Sequence, residues 1–234
     1  MLAFGDIGPV HAACLLPGGL GGNDAAYHYA VAHINGLIYA DMATDKLSPP
    51  TGKTLPSPSE RLTKTELAAR DFECAALEVG RIEQFSNGGS DEHSVKASQL
   101  AQEGASFAGG IYRKLAEKSR MFGSLLQGVM QESLSESEFS IRLAKINADY
   151  QDLLSNLITL SAVVTSVLVD RKPDSAGHFS RLSITAKERA DLVRLIDTAF
   201  GKRARSSKDD VPHIDAAVTM LREWLTKPGY TVRP

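Results

Sequence analysis

The chain has 234 residues, 43% of them apolar and 23% charged, with a net charge of −2. These proportions exclude wholesale disorder and leave enough apolar surface for one sizeable core or two small ones. The charge is split too mildly for a dedicated nucleic-acid binder: 13 Lys/Arg against 8 Asp/Glu from Arg171 onward, and 13 against 20 before it.

Two cysteines, Cys14 and Cys74, do not make a disulfide framework, and a reducing compartment is the expectation. The first ten residues, MLAFGDIGPV, carry no Lys or Arg, and Asp6 interrupts their apolar run. The expected location is therefore cytoplasmic, with signal-free export left open.

Residues 1–58 read as a Gly/Pro-rich N-terminal region containing one apolar segment at 23–46. PGGLGGND misses the dinucleotide fingerprint, because Asp24 occupies the third glycine position and no strand precedes it. His11, Cys14, His28 and His33 follow the outline of a zinc finger whose first cysteine is replaced. The hairpin and aromatic core of a finger are missing, so no metal is expected. SPPTGKTLPSP holds a GKT triplet, but Leu47 stands where a phosphate loop needs glycine, and Pro56 and Pro58 prevent a helix from starting at the lysine. It reads as a proline-rich linker, and no cofactor is expected.

The segment 23–46 supports two structures. Its alanines and an Asn23 or Asp24 N-cap favour a central buried helix, whereas Asn35-Gly36 between Tyr-, Val- and Ile-containing runs is a hairpin signal. The helix is the expectation.

Residues 59–172 read as a bundle of three long helices. The first opens on a Thr63 N-cap with Glu66 three residues on, and buries Ala68, Phe72, Ala75, Val79 and Ile82. The second spans about 91–132, with a stripe through Leu100, Gly104, Phe107, Ile111, Leu115, Lys118, Phe122, Leu126 and Val129. Lys118 breaks that stripe. Gly109 and Gly110 mark either close backbone packing or a hinge.

The third helix carries the strongest pattern in the chain. Phe139, Leu143, Ile146, Tyr150, Leu153, Leu157, Leu160, Val164 and Val167 alternate spacings of four and three, which predicts an interaction seam. Ser135 with Glu138 forms a capping box, and Pro173 ends the helix. At 1.5 Å per residue this helix is roughly 50 Å long. Leu153 to Val169 carries no formal charge, so a membrane-inserting, pore-forming helix is an alternative. The serines, threonines and asparagine off the seam favour a bundle helix instead.

Residues 173–234 read as a basic segment with two shorter helices. One runs from a Thr185 cap to Gly201. The other runs from about Pro212 to Thr226 with Ile214, Val218, Leu221, Trp224 and Leu225 on one face. The linker containing Lys202, Arg203, Arg205 and Lys208 is too long for a helix-turn-helix.

Were 23–46 a hairpin, FGDIG followed by YHYAVAHINGLIYAD resembles the entry of NlpC/P60-like thiol hydrolases, in particular their permuted, acyltransferase-containing branch. There a Gly-Asp pair precedes a strand that begins with histidine, and the catalytic cysteine follows on a helix. The resemblance implies Gly5, Asp6, His28 and Cys74 as the matching residues, with His28 taking the Cys74 thiol proton in a hydrolase or acyltransferase.

The fold expected is mainly α, an elongated antiparallel bundle followed by a two-helix C-terminal segment. The function expected is non-enzymatic: a helical subunit, adaptor or scaffold that binds a protein partner or a second copy along its long helices.

Overall fold

The computed structural model describes residue 14 and residues 25–47, 56–84, 92–168, 186–200 and 212–226. They form six α-helices: α1 Ala25–Leu47, α2 Pro58–Gly80, α3 Glu92–Met130, α4 Glu136–Leu168, α5 Ala186–Phe200 and α6 Pro212–Thr226. A 3-10 turn at Arg81–Gln84 extends α2, and no strand occurs among the described residues. The fold is mainly α, as the periodicity predicts.

α1 is the central helix, and this settles the two structures its sequence allowed. It packs against α2, α4, α5 and α6, so Tyr27, Ile34, Leu37, Ala40 and Ala43 are all buried although they point in different directions. Asn35-Gly36 lies in mid-helix and makes no turn. Both residues are used for packing. Asn35 Nδ2 donates to Glu78 Oε2 at 3.2 Å, and a Cβ on Gly36 would stand 2.9 Å from Val79 Cγ1.

α2 runs antiparallel to α1, held by the Asn35–Glu78 bond at one end and the Lys46–Asp71 ion pair at the other. It starts at Pro58, six residues before the start that a Thr63 cap implies. Ser57 is the N-cap: its hydroxyl accepts from the Glu60 amide at 3.3 Å, while Glu60 Oε2 accepts from the Ser57 amide at 2.8 Å. Pro58 then fills the first helical position, where its missing N–H costs nothing. Thr63 lies one turn inside and donates its hydroxyl to the Ser59 carbonyl. The two capping patterns stand six residues apart, and proline at the first position decides between them. The stripe itself is as expected, with Ala68, Phe72, Ala75, Val79 and Ile82 all buried.

α3 packs along α2 and turns back into α4. Glu132 adopts a left-handed conformation (φ 54°), with the Ser133 amide bonded to the Gly128 carbonyl and the Glu132 amide to the Val129 carbonyl. This is a Schellman stop made without glycine. α4 then opens on the predicted box: Glu138 N to Ser135 Oγ is 3.3 Å and Ser135 N to Glu138 Oε2 is 3.2 Å. α6 spans Pro212–Thr226 as expected and buries Ile214, Val218, Leu221 and Leu225 against the body formed by α1 and α4. Thr185, Gly201 and the basic linker lie outside the described residues, as does the Trp224 side chain.

Candidate functional site: the α3–α4 hairpin

Lys118, which broke the apolar stripe of α3, has a partner. Its Nζ donates to Asp149 Oδ2 of α4 at 2.5 Å, and this bond holds the Asp149 carboxyl below the usual carboxylate range. One residue further along α4, Tyr150 fixes the level at which α1 ends. Thr44, in the last turn of α1, shares a 3.2 Å hydrogen bond with the Tyr150 hydroxyl, and the Tyr150 ring meets Phe72 edge-on. Burial pushes the Tyr150 phenol above its ordinary pKa.

The seam of α4 changes character at this level. On the core side Leu154 and Leu157 are buried, and Leu153 is half-buried. On the other side, before Tyr150, most positions face solvent. Phe139 and Leu143 are only half-covered, and of the seam residues there Ile146 alone is buried. Ile141, off the seam, is 68% exposed. Across the turn, Val129 and Met130 at the end of α3 are 42% and 47% exposed. The side chains of Leu160, Val164 and Val167 lie outside the described residues.

The α3 stripe is shifted from its expected line. Gly104, Ile111, Leu115 and Leu126 are buried, but Phe107 is 56% exposed and Val129 also faces water. Phe122 is half-buried beneath the Arg61 guanidinium, 5.4 Å from the ring centroid. The buried line runs instead through Ala105, Ala108, Tyr112, Ala116 and Ser119, because α3 is covered by α2 as well as α4 and the small residues admit both. The helix continues through Gly109-Gly110. A Cβ on Gly109 would meet only the Arg113 guanidinium at 3.4 Å, and one on Gly110 would meet nothing within 4 Å. Close packing at glycine occurs elsewhere: at Gly36, and at Gly123, whose Cβ would stand 2.6 Å from Thr65 Oγ1.

The thiol-hydrolase constellation is not assembled. Cys74 is bonded to Cys14, with Cα atoms 5.3 Å apart, so its sulfur offers no thiolate. His28 lies half-buried on a helix and not at the head of a strand, and Gly5 and Asp6 fall outside the described residues. The segment is the expected helix, which buries most of its surface, with Met42 and Asp45 exposed near its end. His33 is fully buried, which lowers its pKa to about 4. No group of three or more potential metal ligands occurs among the described residues, and no helix among them is long and apolar enough to cross a membrane.

Sequence reading missed the Cys14–Cys74 bond, because two cysteines 60 residues apart carry no sign of their distance in space. It also missed the buried Asn35–Glu78–Arg81 chain, in which Glu78 Oε2 accepts from both Asn35 Nδ2 and Arg81 Nη1. Compared with known protein families, curated proteins and solved structures, the chain finds no match.

Proposed function

We propose that this chain is a non-catalytic helical subunit or adaptor that engages a protein partner, or a second copy of itself, at the turn end of the α3–α4 hairpin. The observation that supports this most is the half-covered seam before Tyr150. Phe139 and Leu143 continue a heptad pattern in which Leu153 is half-buried and Leu157 fully buried, yet they retain water contact, with Ile141, Val129 and Met130 exposed around them. Apolar side chains gathered at the end of a helical hairpin are the surface a partner helix covers.

The Leu157 side chain is fully buried, so charging it would unfold the protein and test nothing. Val129→Glu with Ile141→Glu alters only exposed positions. Sedimentation velocity is then the measurement. The wild type travels as a particle larger than one chain, alone or in extract of its own host. The double variant travels as a monomer with unchanged circular dichroism. A wild type that remains monomeric in both settings removes the proposal.

The disulfide bears on where this happens. Protein disulfides form and persist in oxidising compartments and are uncommon in cytosol. The Cys14–Cys74 bond therefore favours folding in an oxidising compartment over the cytoplasm expected from composition. Mass spectrometry of protein alkylated at the moment of host lysis decides it: two modified cysteines argue for the cytoplasm, none for the oxidising compartment.

A further inference from the structure

An open cavity, closer to a surface groove than to an enclosed pocket and of about 660 Å³, lies between α5 and α6. The volume is within the roughly 300–1,000 Å³ of small-molecule sites, but the opening leaves one side of a bound molecule in water. Its accessible apolar wall comes from Ala190 and Val193 of α5, with Leu225 of α6 fully buried behind it. The charges around it are paired with one exception. Arg194 Nη2 bonds Asp191 at 2.8 Å, and Arg222 Nη2 bonds Asp197 at 3.0 Å. Arg189, also in the lining, has neither an ion-pair partner nor an acceptor for its Nε and Nη2 among the described residues, and both atoms are shielded from water. Burial depresses its pKa, the direction expected of a cation held without compensation.

Nε–H and Nη2–H lie on one edge of the guanidinium and point the same way. That edge matches the two oxygens of a carboxylate. An arginine whose paired edge is withdrawn from water with nothing to bond is a destabilised cation, and an anion is what relieves it. Arg189 is in the lining, and its edge, shielded as it stands, meets a group bound there only once the guanidinium turns about its terminal torsions. The anion's charge is limited by its surroundings. Asp197 stands in the lining, and the negative end of the α6 dipole lies at Leu225 and Thr226. One unpaired cation beside these groups suits a single negative charge better than a phosphate dianion.

We propose that the α5–α6 cavity binds an amphipathic monocarboxylate, its apolar body against Ala190 and Val193 and its carboxylate on the Nε/Nη2 edge of Arg189. This site is separate from the hairpin, and each reading stands or falls without the other. Titration calorimetry of the full chain with decanoate and with decanol at pH 7.5 is the test. Decanoate binds, and decanol binds at least about tenfold more weakly, the loss expected when hydrogen bonds to a charged group are removed. Arg189→Gln weakens decanoate by a similar factor and leaves decanol unchanged. Arg189→Lys, which keeps the charge and the packing stem, recovers only part of the affinity and serves if the glutamine variant does not fold. Decanoate shifts the methyl resonances of Ala190 and Val193, and Ile141→Glu leaves its affinity unaltered. Equal binding of acid and alcohol overturns the proposal, as does an unaffected Arg189→Gln, unmoved Ala190 and Val193 methyls, or no binding at all.

Discussion

Gly36 of α1 and Val79 of α2 approach so closely that a methyl group on Gly36 would stand 2.9 Å from Val79 Cγ1. The same methyl would lie 3.4 Å from the hydroxyl and ring of Tyr112 on α3, so three helices converge on a position with no side chain. Gly36→Ala adds helix propensity worth about 1 kcal/mol. The β-branched Val79 cannot rotate away, however, and Tyr112 is fully buried. Overpacking of this kind costs about 1–3 kcal/mol, so the net expectation is loss of stability. Urea unfolding of Gly36→Ala checks it; a variant more stable than wild type contradicts the packing described here.

Gly110 is the opposite case. Nothing stands within 4 Å of a Cβ placed there, and the residue is helical. Gly110→Ala is expected to raise stability by about 0.5–1 kcal/mol through helix propensity alone. The variant also tests the hinge reading of Gly109-Gly110. A hinge that matters to partner binding loses that binding as the helix stiffens, whereas a passive glycine leaves binding unchanged. Thermal melting and sedimentation of one variant give both results.

The Asn35-Gly36 pair shows where sequence reading succeeds and where it stops. The signals that were legible are local: the Ser135–Glu138 box, the stripe of α2, and the face of α6. Each depends on residues three or four apart, which a helix brings together whatever surrounds it. Gly36 reads as a turn residue because its reason for being glycine lies 43 residues away in Val79. Phe107 illustrates the same limit: a stripe drawn for one neighbour misplaces it when a second helix covers α3. Arg189 and the Cys14–Cys74 bond have no local signature, since an unpaired cation and a bridge are defined by what lies across the fold.

His33 supplies a pH dependence. Its folded pKa, about 4, lies below the ordinary histidine value of 6.5 because burial disfavours the imidazolium. Between those values the unfolded chain binds a proton that the folded chain refuses. Stability from this group is therefore complete above about pH 6.5 and falls as pH drops toward 4, by about 1.4 kcal/mol per unit within the window. Unfolding free energies at pH 7.5, 6 and 5 should decline along that slope for wild type and flatten for His33→Gln. Parallel slopes for the two proteins refute the assignment.

The Cys14–Cys74 bond spans 60 residues, and both cysteines are buried with the main core. Restricting the unfolded chain over a loop of that length is worth about 4 kcal/mol in the chain-entropy estimate. Cys14→Ala is expected to lower the stability of the oxidised protein by a few kcal/mol, and to abolish the sensitivity of the melting temperature to dithiothreitol. A wild type that melts at one temperature with and without reductant contradicts a bond that constrains the chain.

That bond also changes what cutting the chain accomplishes. Every residue of α1 and the first 16 residues of α2 lie between the two bridged cysteines. A protease that cleaves once anywhere in this interval produces two peptides that remain one molecule, with the central helix still in place on its neighbours. Separation into fragments needs a second chemical event, reduction, so a nicked protein runs at full length on a non-reducing gel and divides only when a thiol is added.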